Sequence, residues 1–166
     1  APSPGAGPGK IRAASKFSEG FSTGETTAAM VVDQYRHQLP AGKTPKAEEV
    51  MAFQARALKA AGMDTPYIPP RYFAPYFSHI FAGGYSAGYY AYLWTAVLAA
   101  NTQQWVLDHG GLQRANGEFL RAKILSRGGT EDAGKLFREF YGKGPEVGPL
   151  AEKRGLKLGK PAAKTP

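Results

Sequence analysis

Residues 72–107 read YFAPYFSHIFAGGYSAGYYAYLWTAVLAANTQQWVL, and across these 36 positions no side chain carries a formal charge; only His79 gains one by protonation. Arg71 and Asp108 close the run at its two ends. A stretch this apolar is either a membrane span or a segment covered by other protein. The membrane reading fails on length: Gly83-Gly84 breaks the run, and its densest part, Ala87 to Ala100, is shorter than the ~20 residues a bilayer needs. A buried helix is the expectation that remains, with Ser86 as its cap, a course to His109 and a stop at Gly110-Gly111.

Working outward, helix signals flank the run on both sides. Upstream, Ser22 and Glu25 form a capping box, and Ala28, Val31, Val32, Tyr35 and Leu39 recur at helical spacing until Pro40, which predicts a helix over about 23–39. Thr44-Pro45 opens a second helix, whose stripe Val50, Phe53, Ala57, Leu58 and Ala61 ends at Gly62. From Asp64 to Pro75 four prolines impose an extended connector. Downstream, Asn116 to Ser126 places Phe119, Leu120, Ile124 and Leu125 on one side. Thr130 then caps a helix with the stripe Ala133, Leu136, Phe137, Phe140 and Tyr141 before Gly142. No alternating run is long enough for a sheet strand and no repeat appears at solenoid periods, so the fold class is all-α.

Charge divides the chain into three. The 21 basic and 13 acidic residues give +8, a balance that brings nucleic acid to mind. Yet residues 1–16 carry +3 and residues 143–166 carry +4, leaving +1 for the body. A surplus confined to Pro/Gly/Ala/Lys-rich ends reads as solvated tails, so neither a nucleic-acid partner nor a membrane is expected. The domain reading is a flexible lead over 1–9, a helical segment over 10–156 and a basic flexible tail over 157–166. The first ten residues lack the charged start and apolar core of a signal peptide, which suits a mature or excised chain.

Most chemistry is excluded by residue type. With no cysteine there are no disulfides, no thiol nucleophile and no thiolate metal site. None of the three histidines stands in an H-E-x-x-H helix. Asp33 and His37 share a helical face and read as a surface hydrogen bond or weak ion pair, while His109 suits the end of its helix by the dipole. No metal ligands are therefore assigned to this chain. Ser78 beside His79 lacks a nucleophile elbow, and the glycines of GGYSAG miss the dinucleotide spacing.

What remains is FSHIFAGGYSAGYYAYLW, Phe77 to Trp94. His79 precedes Gly83-Gly84, and Tyr85, Tyr89 and Tyr92 follow at steps of four and three, which places three phenols along one face of the following helix. A tyrosine-rich core stripe and a cleft wall are both open on these residues. Core stripes favour groups without a hydroxyl to satisfy, whereas phenols and an imidazole are good donors to a developing oxyanion.

Four stretches carry a resemblance: KIRAASKFSEGFSTGE at Lys10 to Glu25, YIPPRY at Tyr67 to Tyr72, YFSHIFAGGYSAGYYAYLW at Tyr76 to Trp94, and NGEFLRAKILSRGG at Asn116 to Gly129. In this order they resemble the thimet-oligopeptidase (M3) family of zinc metallopeptidases, in its bacterial peptidyl-dipeptidase (dipeptidyl carboxypeptidase) branch. The likeness covers about 10–156 and leaves out APSPGAGPG and KLGKPAAKTP. It implies a mostly helical, two-lobed enzyme whose zinc is held by two histidines of an H-E-x-x-H helix and a later glutamate. Those residues are missing here and would lie upstream of Ala1.

By that resemblance the chain is the C-terminal portion of the enzyme and one wall of its cleft. His79 and Tyr92 would be catalytic, donating to the oxyanion; Tyr85 and Tyr89 would bind substrate, and Gly83 and Gly84 would let the loop close. The complete enzyme would release dipeptides from peptide C-termini with zinc as cofactor. This chain alone would bind none and be inactive. The partners implied are a peptide substrate and the missing zinc-bearing part, with self-association of the isolated chain. The alternative is a non-catalytic peptide-binding or interaction module of the same fold. Both cytoplasm and periplasm of a bacterium suit a cysteine-free chain.

Overall fold

A computed structural model describes residues 7–159, and among them the chain forms α-helices and short 3-10 turns with no strand. The helices are α1 (Pro8–Ala14), α2 (Glu19–His37), α3 (Val50–Ala60), α4 (Ala91–Asp108), α5 (Arg114–Lys123), α6 (Ala133–Tyr141) and α7 (Gly148–Arg154). The all-α expectation holds. Residues 1–6 of the expected lead and 160–166 of the expected tail lie outside the described residues; Pro8 and Gly9 already belong to α1. The chain divides into two units, Phe17–Leu93 and a second made of the described residues before Phe17 with those from Trp94 onward.

In the first unit α2 has two buried faces. Ala28 and Val32, one turn apart, meet Leu58 of α3 and Ala74 of the connector. Ala29 and Met30, about 100° and 200° round the helix from Ala28, meet Phe77, Ile80 and Tyr89. The proline-rich connector is tied to α2 by the Arg71 amide, which donates to the Glu25 carbonyl at 2.9 Å. The buried Gln54 of α3 accepts from the Ala74 amide at 2.8 Å.

The second unit is organised by aromatic rings and one amide. Trp105 of α4 stands 5.2 Å from Phe119 of α5 and 4.8 Å from Phe140 of α6, ring centre to ring centre. Asn101, with no exposed surface, donates to the Val97 and Glu146 carbonyls at 2.8 and 2.7 Å and accepts from the Glu146 amide at 2.9 Å. It therefore ties α4 to the segment leading into α7.

Helix starts differ from the sequence expectations, each for a visible reason. Ser22 does not cap α2: its own amide already donates to the Ser18 carbonyl at 3.0 Å, so the helix begins a turn earlier. A 3-10 turn, Ala47–Glu49, precedes α3, with the Lys46 amide on the Glu49 carboxylate. Asp132, not Thr130, caps α6, accepting from the Lys135 amide at 2.8 Å. The downstream helix begins at Arg114 and gives way to a 3-10 turn at Leu125–Arg127. The helix α7 was not anticipated, although proline in its first turn and Gly155 beyond its end mark it.

The charge-free helix departs furthest. It opens at Ala91 rather than near Ser86, whose hydroxyl instead donates to the Ile80 carbonyl at 2.6 Å. Nor is it buried all round: Val97, Ala100 and Asn101 are covered, while Trp94 is 51% and Leu107 59% exposed. The remaining side of α4, with Leu112, Leu120 and Ile124, lines an apolar groove of about 560 Å³. No helix among the described residues is long and apolar enough to cross a membrane.

Candidate oxyanion and substrate site

The tyrosine segment forms a turn laid against α2. Phe77 and Ile80, both without exposed surface, anchor it in the core on either side of Ser78 and His79. The chain then folds back over this 3-10 turn: the Ala82 and Gly83 amides donate to the Ser78 carbonyl at 2.8 and 3.2 Å, and the Tyr85 amide to the His79 carbonyl at 3.1 Å. A Cβ on Gly83 would stand 2.9 Å from His79 Cα and O, so the fold-back needs glycine there for packing. Gly84 has φ +78°, the left-handed region that glycine enters without strain.

The expectation that Tyr85, Tyr89 and Tyr92 line one helical face is not met. Tyr85 and Tyr89 precede α4, and only Tyr92 lies on it. The reason is in the backbone between them. Ala87 has φ +53°, and Asp33 of α2 accepts from the Ala87 and Tyr89 amides, each at 3.0 Å. The left-handed Ala87 breaks the helical course between Tyr85 and Tyr89, and the Asp33 carboxylate holds the backbone on either side of that break.

The rings nevertheless converge. Tyr85 and Tyr92 stack at 5.3 Å with 27° between planes, and Tyr89 and Tyr92 stand 4.9 Å apart. The His79 ring lies 5.8 Å from Tyr89 and 6.3 Å from Tyr85. Tyr72, which sequence reasoning left out of the site, is nearer still at 4.8 Å from His79 and 5.1 Å from Phe77. Its signal was its place in YIPPRY at the edge of the charge-free run.

Burial separates the tyrosines. Tyr89 is 5% exposed and belongs to the core, whereas Tyr92 is 43% exposed. The core-stripe reading therefore describes Tyr89, while Tyr92 stands at the surface. His79 is half-buried, and its Nδ1 is covered with no hydrogen-bond partner among the described residues.

Hydrogen bonding and burial raise two of these phenols, Tyr92 and Tyr89. The Tyr92 phenol is pushed up to about 12, first by its hydrogen bond with Tyr85 and then by partial desolvation and the neighbouring phenols. Burial raises the Tyr89 phenol. A raised phenol remains a proton donor throughout neutral pH. By linkage, the Tyr92 hydrogen bond favours the folded form fully below pH 10, the ordinary phenol value, and is lost as pH rises through about 12. In Tyr85→Phe the partner hydroxyl is gone, so an absorbance titration of the tyrosines should show the Tyr92 midpoint falling toward the ordinary phenol value. A midpoint unchanged in that variant would remove Tyr85 as the cause.

Asp33 and His37 also differ from expectation. The pair is no surface contact: Asp33 has no exposed surface, and His37 Nδ1 stands 2.8 Å from the Asp33 carboxylate and 3.0 Å from the Asp33 backbone carbonyl. Both neighbours of Nδ1 are acceptors, so it carries the proton. Among the described residues no further histidine or carboxylate joins them. Among the described residues no three such side chains gather to hold a metal ion, and the residues present do not fit a zinc site.

Residues 8–156 match the sequence model of Peptidase family M3. A dipeptidyl carboxypeptidase of Escherichia coli is 46% identical over 149 residues, which is 90% of this chain and 22% of that protein. The Salmonella typhimurium dipeptidyl carboxypeptidase is 42% identical over 89% of this chain and 21% of its own length. Oligopeptidase A of Escherichia coli is 47% identical over 81 residues, 49% of this chain and 12% of that protein. The chain spans about a fifth of the dipeptidyl carboxypeptidases it matches.

Proposed function

This chain belongs to peptidase family M3, and on that premise we propose that it is the substrate-binding and oxyanion-stabilising part of a zinc peptidyl-dipeptidase, which releases dipeptides from peptide C-termini. The observation that carries this reading is the gathering of His79 and Tyr92 around Tyr89, whose ring lies 5.8 Å from the imidazole and 4.9 Å from the Tyr92 phenol, with the Tyr92 ring half exposed and its hydroxyl kept a proton donor.

Attack on a peptide carbonyl places a negative charge on its oxygen, and donors positioned beforehand stabilise that charge more than they stabilise the substrate. Tyr92 donates its hydroxyl proton in a hydrogen bond, exchanging Tyr85 for the substrate oxygen, and His79 donates from its imidazole. Tyr85 at the rim and Tyr89 beneath it shape the wall against which the peptide lies. Gly83 and Gly84 allow the loop to close over substrate.

The zinc that family M3 implies is then held by residues outside these 166, so this chain by itself is inactive. The apolar groove along α4 gives the isolated chain a surface that favours self-association or capture of the zinc-bearing part.

The test joins three measurements on the purified protein: intact mass under denaturing conditions, zinc content, and cleavage of a blocked peptide. The expected result is a larger zinc-bearing polypeptide that co-purifies and releases dipeptides, with His79→Ala lowering turnover while zinc is retained. This chain found alone, without zinc or cleavage, would end the enzymatic reading and leave a peptide-binding module in its place.

A further inference from the structure

We propose that Asp33 is the positioning residue of the tyrosine turn, a buried carboxylate on α2 that sets where Tyr85, Tyr89 and Tyr92 stand. Its functional consequence rests on the reading of those tyrosines as the cleft wall; its structural content does not.

The two carboxylate oxygens divide the turn between them. Oδ1 accepts from the Ala87 amide and Oδ2 from the Tyr89 amide, each at 3.0 Å. The next residue of the same helix completes the grip, because Gln34 Nε2 donates to the Ala87 carbonyl at 2.8 Å. Successive side chains of α2 thus hold the Ala87 residue by both its N–H and its C=O.

That grip has something to oppose. Ala87 sits at φ +53°, a conformation in which its Cβ crowds the backbone and which a free chain would leave. Hydrogen bonds to an ionised acceptor are about twice as strong as neutral ones, so two of them outweigh one strained residue. Nothing inside the turn could substitute, since residues 72–107 contain no carboxylate or other formal charge. A buried carboxylate also has to be fully satisfied to be tolerated, and His37 Nδ1 at 2.8 Å supplies the remaining donor.

The geometry explains why the phenols meet although they do not share a helix. With the Ala87 and Tyr89 amides fixed to α2, Tyr85 is returned over the start of α4, where its ring stacks on Tyr92. Asp33 touches none of the groups assigned to substrate and acts on them only through the backbone.

Amide hydrogen exchange on the isotopically labelled full chain tests this, comparing Asp33→Asn with the unaltered protein. The variant keeps the shape but replaces one acceptor oxygen with an NH2 that faces an amide. Exchange at Ala87 and Tyr89 should quicken ~10-fold or more, the scale of one lost charge-assisted hydrogen bond, and the Tyr85–Tyr92 ring contact should weaken. Val97 and Ala100 should keep their protection. Unchanged exchange at Ala87 and Tyr89 would overturn the proposal, and so would a uniform loss at all four positions, which marks a general folding role.

Gln34→Ala keeps the proposal testable if Asp33→Asn does not fold. It removes only the bond to the Ala87 carbonyl, and exchange at Ala87 should rise ~3-fold or more; no change there would again overturn the clamp. Neither measurement needs metal, substrate or turnover. Failure of the exchange result would therefore leave the oxyanion reading standing, and absence of cleavage would leave the clamp.

Discussion

Asn101→Ala should destabilise the chain by ~2 kcal/mol or more, because it leaves the part-buried Glu146 amide and carbonyl without their partner, at roughly 1–3 kcal/mol each. Asn101 has no exposed surface, so water cannot take its place without opening the segment between α6 and α7. The loss adds a cavity where the amide stood. Asn101→Asp is the informative companion: it still accepts from the Glu146 amide but cannot donate to either carbonyl and buries a charge, so it should be no better than alanine. Urea denaturation followed by circular dichroism measures both. A change under ~0.5 kcal/mol for Asn101→Ala, the scale of an ordinary surface substitution, would show that the amide does not anchor α4.

On the function proposed above, the second large effect is on turnover, in the chain joined to the zinc-bearing part which that proposal requires. Tyr92→Phe should lower kcat ~100-fold with KM little changed, since removing one oxyanion donor costs about 10²–10³ in turnover. The ring stays, so its stacking on Tyr85 at 5.3 Å and its contact with Tyr89 are kept and substrate binding is not disturbed. An interaction made only in the transition state appears in kcat, while one made equally with bound substrate appears in KM. A rise in KM with kcat intact would move Tyr92 from oxyanion donor to substrate contact. Tyr89→Phe provides the contrast, because Tyr89 is buried in the core and should act on stability before turnover.

Much of this protein was readable from residue order. The all-α class follows from apolar spacing at helical period and from the absence of alternating runs, both properties of local sequence. The stops at Gly62 and Gly142 were legible for the same reason: each sits at positive φ, +69° and +84°, where other residues are strained. The grouping of His79 with the tyrosines could be suspected because fewer than fifteen residues separate His79 from Tyr92.

Tertiary structure decided the rest. Ser22 and Ser86 look like caps in isolation, yet Ser22 lies inside a helix already under way and Ser86 donates to Ile80. Asp33 read as half of a surface pair, and only folding showed it buried under a turn more than fifty residues later in the chain. The three phenols meet by that long-range bond and not by helical spacing. Sequence by itself determined most of the segments that turn helical, because hydrogen bonds within a helix join near neighbours and their propensities are local. Which tyrosine is core and which is surface, and where the turn is held, depended on contacts between distant segments, whose partners no local pattern records.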